Sequence, residues 1–249
     1  MKVSRKAEAE LAALADLPDS EIDTTDIPER GDWTGATRGR FSDLRHTAIH
    51  EAAHAVAKWR LTVQSTGDET DAGFHHLTLR PLAAVAEEPY VDAEGKHHNC
   101  HGITEMRRFD PGSGPVPNDV SPDYKFATDA RRERIRLDIQ VVLAGGIAEA
   151  KYRDLPFDDL IRDGRTASGD WQEAIRLADW LNQTGCSHEE LLAPLRRKAS
   201  DLVCRPEVWS AIVALAQAVL ARADFKIIGC DALPIMAAAY KATATTIRK

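Results

Sequence analysis

Hydrophobic positions recur at helical spacing over most of the chain and alternate in only two short stretches. Over residues 42–61, Leu44, Ala48, Ala52 and Val56 form one stripe, widened by Ile49, Ala53 and Ala57, and no Pro or Gly interrupts it. Ser42 is a plausible cap, and Asp43 suits the positive end of the helix dipole. A second helix is expected over 123–152, where Ile135, Ile139, Val142, Leu143, Gly146 and Ile147 share a face. Gly145-Gly146 lies in the middle of it, at a cost of about 1 kcal/mol per glycine relative to alanine, so another helix is expected to approach closely there. A third helix starts near Ser168 and runs through Trp171, Ala174, Ile175, Ala178 and Leu181. Two or three more amphipathic helices fill 188–248, broken around Pro206 and Gly229. Trp171, Trp180 and Trp209 are expected in the core.

The alternating stretches sit between the first two long helices. Leu77-Thr78-Leu79-Arg80-Pro81 reads as a strand ended by its proline, and Gly102-Ile103-Thr104-Glu105-Met106 as its partner. Asp92-Ala93-Glu94-Gly95-Lys96 reads as a turn, and residues 110–119, rich in Pro and Gly, as an exposed loop. The fold class is therefore mainly α with a small β element (α+β). Ahead of the first long helix, residues 1–41 hold a short Ala/Glu/Leu-rich helix candidate and then an acidic, turn-rich stretch without periodicity, which reads as a partly disordered arm. Residues 42–249 form the expected domain: a core with an inserted hairpin over 42–186 and a helical C-terminal part over 187–249.

Composition narrows the classes. With 249 residues and 43% apolar side chains the chain can bury a substantial core. A net charge of −7 argues against nucleic acid as a partner, since a polyanion-binding surface carries an excess of Lys and Arg. No apolar run approaches the roughly 20 residues that span a bilayer, and the first residues lack the apolar core of a signal peptide. Cys100, Cys186, Cys204 and Cys230 are widely separated and read as reduced thiols of a cytoplasmic protein.

One feature of the first long helix carries chemistry. His50-Glu51-Ala52-Ala53-His54 is an H-E-x-x-H motif. Residues four apart project from one helical face about 6 Å from each other, so His50 and His54 can hold one divalent metal. Glu51 beside them is placed to take a proton from water at such a metal. Catalytic zinc usually has a third protein ligand. The extended motif H-E-x-x-H-x-x-G-x-x-H is excluded by Ala57 and Arg60. Glu149 on the second helix and Asp170 in the first turn of the third are the remaining candidates; dipole compensation alone would also account for Asp170.

Four ordered segments resemble the FtsH-type zinc peptidases. Thr47-Ala48-Ile49-His50-Glu51-Ala52-Ala53-His54-Ala55 is similar to that family's T-A-x-H-E-A-G-H-A. His76-Leu77-Thr78-Leu79-Arg80-Pro81 and His101-Gly102-Ile103-Thr104 resemble its two strands, and Val141-Val142-Leu143-Ala144-Gly145-Gly146-Ile147-Ala148-Glu149-Ala150 its V-x-L-A-G-R-A-A-E-E helix. Thr166-Ala167-Ser168-Gly169-Asp170-Trp171-Gln172-Glu173-Ala174 resembles its T-G-A-S-x-D-x-x-x-A helix start. The resemblance covers roughly residues 43–225. It implies a zincin-like fold, Zn²⁺ held by His50, His54 and Asp170, Glu51 as the catalytic base, and a strand near Gly102-Ile103-Thr104 that pairs with extended substrate. The chain departs from the pattern at Ala53, Gly146 and Ala150, and it has no G-x-x-x-x-G-K-[ST], so the ATPase module of that family is not expected.

These observations lead to a zinc-dependent endopeptidase acting on unfolded or extended protein or peptide segments without its own ATPase. Two alternatives stay open: a regulatory protease specific for one partner protein, and a non-catalytic zinc-binding adaptor that keeps the fold. The family resemblance also allows a homo-oligomer or a separate unfoldase as partner. Glu149 is a candidate to orient a ligand histidine, or else the member of a plain salt bridge. His46 is expected at the surface or behind the ligands. His97, His98, Cys100 and His101 read as a polar hairpin, with a second metal as the alternative.

Overall fold

The computed structural model describes residues 39–80, 90–91, 97–98, 102–107, 109, 129–163, 167–181 and 186–247. All of them belong to one compact unit, Arg38–Lys249. Residues 1–38 of the expected N-terminal arm, the turn at 92–96, the loop at 110–119, and Asn99, Cys100 and His101 lie outside these residues, as do the side chains of His97 and His98, whereas residues 39–41 of that arm belong to the first helix. Among the described residues the chain is mainly helical with a small open sheet.

The first helix, α1 (Gly39–Thr66), is longer at both ends than its apolar stripe suggests. Nothing between Arg40 and Ser42 breaks a helix, so Ser42 lies within it rather than capping it, and Asp43 falls beyond the first turn. At the other end the helix continues past Leu61 to Gly67, whose φ of +74° and N–H bond to the Val63 carbonyl (2.8 Å) make it the natural stop. The predicted stripe is buried throughout: Leu44, Ala48, Ile49, Ala52, Ala53, Val56 and Ala57 all lie in the core. So does Trp59, in edge contact with Tyr240.

Next come β1 (Phe74–Leu79), the short pair β2 (Tyr90–Val91) and β3 (His97–His98), and β4 (Gly102–Met106). β2 and β3 pair with each other. The main sheet is antiparallel in the order β4-β1-β5, with β5 (Lys226–Ile228) contributed from far along the chain. The register sets Leu77 opposite Thr104 on one side and Ile227 on the other, and Leu79 opposite Gly102. These five residues are buried on one face. β5 is not visible in the hydrophobic pattern because three residues are too few to show an alternation. It follows Phe225 at φ +50° and runs directly into a helix at the buried Gly229.

The remaining helices are α2 (Asp129–Arg153), α3 (Phe157–Asp163), α4 (Ala167–Asp179), α5 (His188–Cys204), α6 (Pro206–Leu220) and α7 (Gly229–Ile247). A capping box between Ser187 and Glu190 starts α5, and Pro206 opens α6 at the position where a missing N–H costs nothing. Every one of these helices except α3 contributes to the hydrophobic cluster that also contains α1 and the sheet. Trp180 is buried in it, while Trp171 and Trp209 are only partly buried against it. Trp171 meets the ring of Phe157, and Lys151 covers Trp209. No single helix among the described residues is long and apolar enough to cross a membrane; the pair α5–α6 meets the length and composition of a span but is bent by 75°.

Candidate metal centre

α1, α2, α4 and β4 meet around the H-E-x-x-H segment. α2 lies against α1 where Gly145 faces the two histidines, fulfilling the close approach expected of the glycine pair. A Cβ at position 145 would overlap the His54 ring, 2.5 Å from Cε1, and would lie 2.8 Å from His50 Nε2. At Gly146 it would instead meet Ala167 and Phe157, both at 2.9 Å. The first glycine therefore makes room for imidazoles, and the second for α3 and the start of α4.

Both imidazoles are anchored through their Nδ1 atoms. His54 Nδ1 lies 2.8 Å from the Val141 carbonyl, to which it donates, and His50 Nδ1 lies 3.1 Å from Glu149 Oε2. Glu149 is completely buried, and its other oxygen accepts from Arg153 Nη1 at 3.0 Å. It is thus both the orienting group and the salt-bridge partner that the sequence offered as alternatives. A hydrogen on each Nδ1 leaves each Nε2 with a lone pair. These two atoms face one another at 3.1 Å.

The first turn of α4 brings in the third donor. Asp170 Oδ2 lies 3.0 Å from His50 Nε2 and 3.2 Å from His54 Nε2. This oxygen is buried, with no hydrogen-bond donor properly directed at it. Two imidazole nitrogens and a carboxylate oxygen converging this closely form a donor set that one cation could bridge. For ligands at about 2.0–2.1 Å from a tetrahedral ion, neighbouring donor atoms are about 3.3–3.4 Å apart. The observed triangle, with sides of 3.0–3.2 Å, is slightly tighter than one face of that tetrahedron. Among the described residues this is the cluster of His, Cys, Asp and Glu side chains that could hold a metal ion.

The electrostatics agree. Burial alone would depress the pKa of His50, but the Asp170 carboxylate and the bond to Glu149 overcome it and hold that pKa well above the ordinary value. His54 is raised for the same reason, with burial again outweighed by Asp170. Burial pushes Asp170 up, yet the two imidazoles win and hold it well below the usual carboxylate range.

Glu51 sits on the neighbouring flank of α1, against β4. Burial raises its pKa, against the pull of His50, His54 and a hydrogen bond from Thr104. The Thr104 hydroxyl lies 2.9 Å from Glu51 Oε2 and 2.9 Å from the Glu51 carbonyl oxygen. Gly102, two residues earlier on the same face, lets the strand come this close: a Cβ there would lie 2.7 Å from both Glu51 Cγ and Thr47 Cγ2.

No protein-family model matches the chain, and no curated protein matches it either. The geometry therefore stands on its own. His50-Glu51-x-x-His54 with the distal Asp170 matches the H-E-x-x-H and third-ligand-Asp arrangement of zinc metalloendopeptidases. It fits a zincin-type active site and supports zinc-dependent peptidase activity. The structure brings together all four sequence-predicted residues. His46 stays behind them, half-buried with its ring edge against Tyr152. Thr104, the Val141 carbonyl and the role of Gly145 were not recognised from sequence. Only Gly145 gave a signal, as half of a glycine pair that pointed to close approach of another helix but not to the histidines it accommodates.

Proposed function

We propose that this chain is a zinc endopeptidase of FtsH-like type that cleaves unfolded or extended protein segments. The observation that carries the reading is the convergence of His50 Nε2, His54 Nε2 and Asp170 Oδ2 beside a buried carboxylate, Glu51. The order of the parts supports the FtsH-like assignment: motif helix α1, strand β4, Glu149 on α2, then Asp170 in the first turn of α4.

His50, His54 and Asp170 would hold the ion. Zn²⁺ in that place supplies a Lewis acid that acidifies water toward a pKa of about 7 and polarises a peptide carbonyl. Glu51, raised by burial, is suited to accept the water's proton and to pass it to the departing amine. Glu149 and the Val141 carbonyl fix both rings with Nε2 toward the centre. Among the described residues β4 pairs only with β1, so its other edge is the place for an extended substrate to add as a strand. Such a mode reads backbone, which suits unfolded chains, supplied already unfolded or by a separate unfoldase. Among the described residues the exposed thiols of Cys204 and Cys230 suit a reducing cytoplasm.

The test combines metal analysis with cleavage of casein, an unstructured protein. We expect about one zinc per chain and cleavage that disappears in Glu51→Gln while zinc is retained. Purified protein that takes up no zinc would overturn the reading. Zinc without Glu51-dependent cleavage of casein would replace it with a protease restricted to one partner, or with a zinc-binding adaptor.

A further inference from the structure

We propose that Thr104 is a positioning residue for Glu51, an inference that rests on the peptidase reading above. A glutamate on a helix surface has three rotatable side-chain bonds, and its place in the H-E-x-x-H motif fixes only where the side chain starts. The neighbouring histidines each have an anchor outside α1, in Glu149 and the Val141 carbonyl. Among the described residues Thr104 is the corresponding anchor for the Glu51 carboxylate.

The anchor follows from the strand's two-residue period. Gly102 and Thr104 point at α1 and are buried, whereas Ile103 and Glu105, on the other face, are only partly covered. At Gly102 the missing Cβ brings the strand against Glu51 Cγ, and at Thr104 the strand presents a hydroxyl to the same side chain. That hydroxyl is 2.9 Å from both Oε2 and the main-chain oxygen of Glu51. It therefore bridges the end of the side chain and the residue's own main-chain oxygen. Oε2 is held, and Oε1 carries no bond from Thr104. The carbonyl belongs to a helix and has an intrahelical partner in any case, so what the hydroxyl adds is the placement of the carboxylate. Because β4 also offers the edge for a substrate strand, the same strand that seats the substrate sets the base.

The experiment compares wild type, Thr104→Val and Thr104→Ser as full chains loaded with zinc. Each is measured for zinc content, thermal midpoint, kcat and KM on a casein-derived peptide, and the position of the Glu51 carboxylate in a crystal structure. Loss of a positioning contact misplaces the base without unbinding the substrate, so kcat should fall about 10- to 100-fold in Thr104→Val, with KM within about twofold. Zinc content should be unchanged, and Thr104→Ser should recover most of the rate. The crystal structures should show the carboxylate displaced in the valine variant and in place in the serine variant. Full kcat in Thr104→Val, or a rate loss that follows zinc content or midpoint and is not rescued by serine, would overturn the proposal. If the valine variant does not fold, Thr104→Ala takes its place with the same readouts. If wild type shows no Glu51-dependent cleavage, the peptidase reading fails, and the carboxylate position alone decides whether Thr104 holds Glu51.

Discussion

Gly145 and His54 touch across the α1–α2 interface with no room for even a methyl group between them. Alanine at 145 should favour α2 by about 1 kcal/mol through helix propensity. Its Cβ, however, would occupy the space of the His54 ring and crowd His50 Nε2 at 2.8 Å. Gly145→Ala should therefore keep its helical circular dichroism while its zinc content falls toward zero. Gly146→Ala, which meets Ala167 and Phe157 instead, should lower the thermal midpoint with zinc still bound to the folded fraction. Zinc affinity unchanged in Gly145→Ala would show that the rings do not need this glycine.

Glu149 holds His50 and is held by Arg153, with no exposure to water. Removing it frees the His50 ring to turn and leaves Arg153 without its buried partner. Replacement of such an outer carboxylate typically lowers metal affinity 10- to 100-fold, and Glu149→Ala should fall in that range. Arg153, left behind, is 29% exposed and can turn to water, so the fold should lose less than the roughly 3–5 kcal/mol that a fully buried orphaned charge would cost. Competition with a chelator and urea denaturation measure the two effects separately. A variant with wild-type zinc affinity would leave Glu149 only the salt bridge.

The sequence showed the residues that bear the metal chemistry more readily than those that hold them in place. His50 and His54 are legible because helical spacing alone puts them on one face, and α1 is uniform enough for that spacing to hold. Asp170 was one of two carboxylates, chosen only through resemblance, because three-dimensional convergence of α1 and α4 has no local signature. Glu149 was visible as a candidate but not as the holder of a particular nitrogen. Thr104 gave no sign, since a threonine in a strand is ordinary and its contact spans 53 positions. β5 was missed for a related reason: its place beside β1 is fixed by tertiary pairing with Leu77 and His76, not by its own three residues.

Gly102 makes the approach of β4 to Glu51 testable from the strand side. An added methyl would sit 2.7 Å from Glu51 Cγ and from Thr47 Cγ2, so strand and helix must part or Glu51 must turn. Neither movement touches the donors of the metal directly. Gly102→Ala should keep about one zinc per chain and lose at least about tenfold in cleavage rate, as expected for a misplacement of roughly 1 Å at the base. Loss of zinc together with activity would mean that the strand supports the whole centre rather than Glu51.

Lys58, one turn beyond His54 and only 3% exposed, gives the fold a pH dependence of its own. Its ammonium lies 3.5 Å from Asp138 Oδ1 and 3.2 Å from the centre of the Phe109 ring. Asp138 also accepts the Phe109 N–H at 3.0 Å. Burial lowers the Lys58 pKa to about 8 despite the Asp138 charge, against an ordinary value of 10.5. Below about pH 8 the lysine is protonated in both the folded and the unfolded chain, and the cost of burying its charge is fully present. Between about 8 and 10.5 the unfolded chain binds more protons than the folded one, so stability from this group rises with pH. Above that range both forms are neutral and the cost is gone, a difference of up to about 3 kcal/mol. Lys58→Met removes this dependence while Asp138 keeps its bond from Phe109. Urea midpoints of the two proteins, taken at matched zinc content from about pH 7.5 to about pH 9.5, should therefore shift in favour of wild type as the pH rises. Parallel curves would mean that Lys58 titrates in the fold as it does in the unfolded chain.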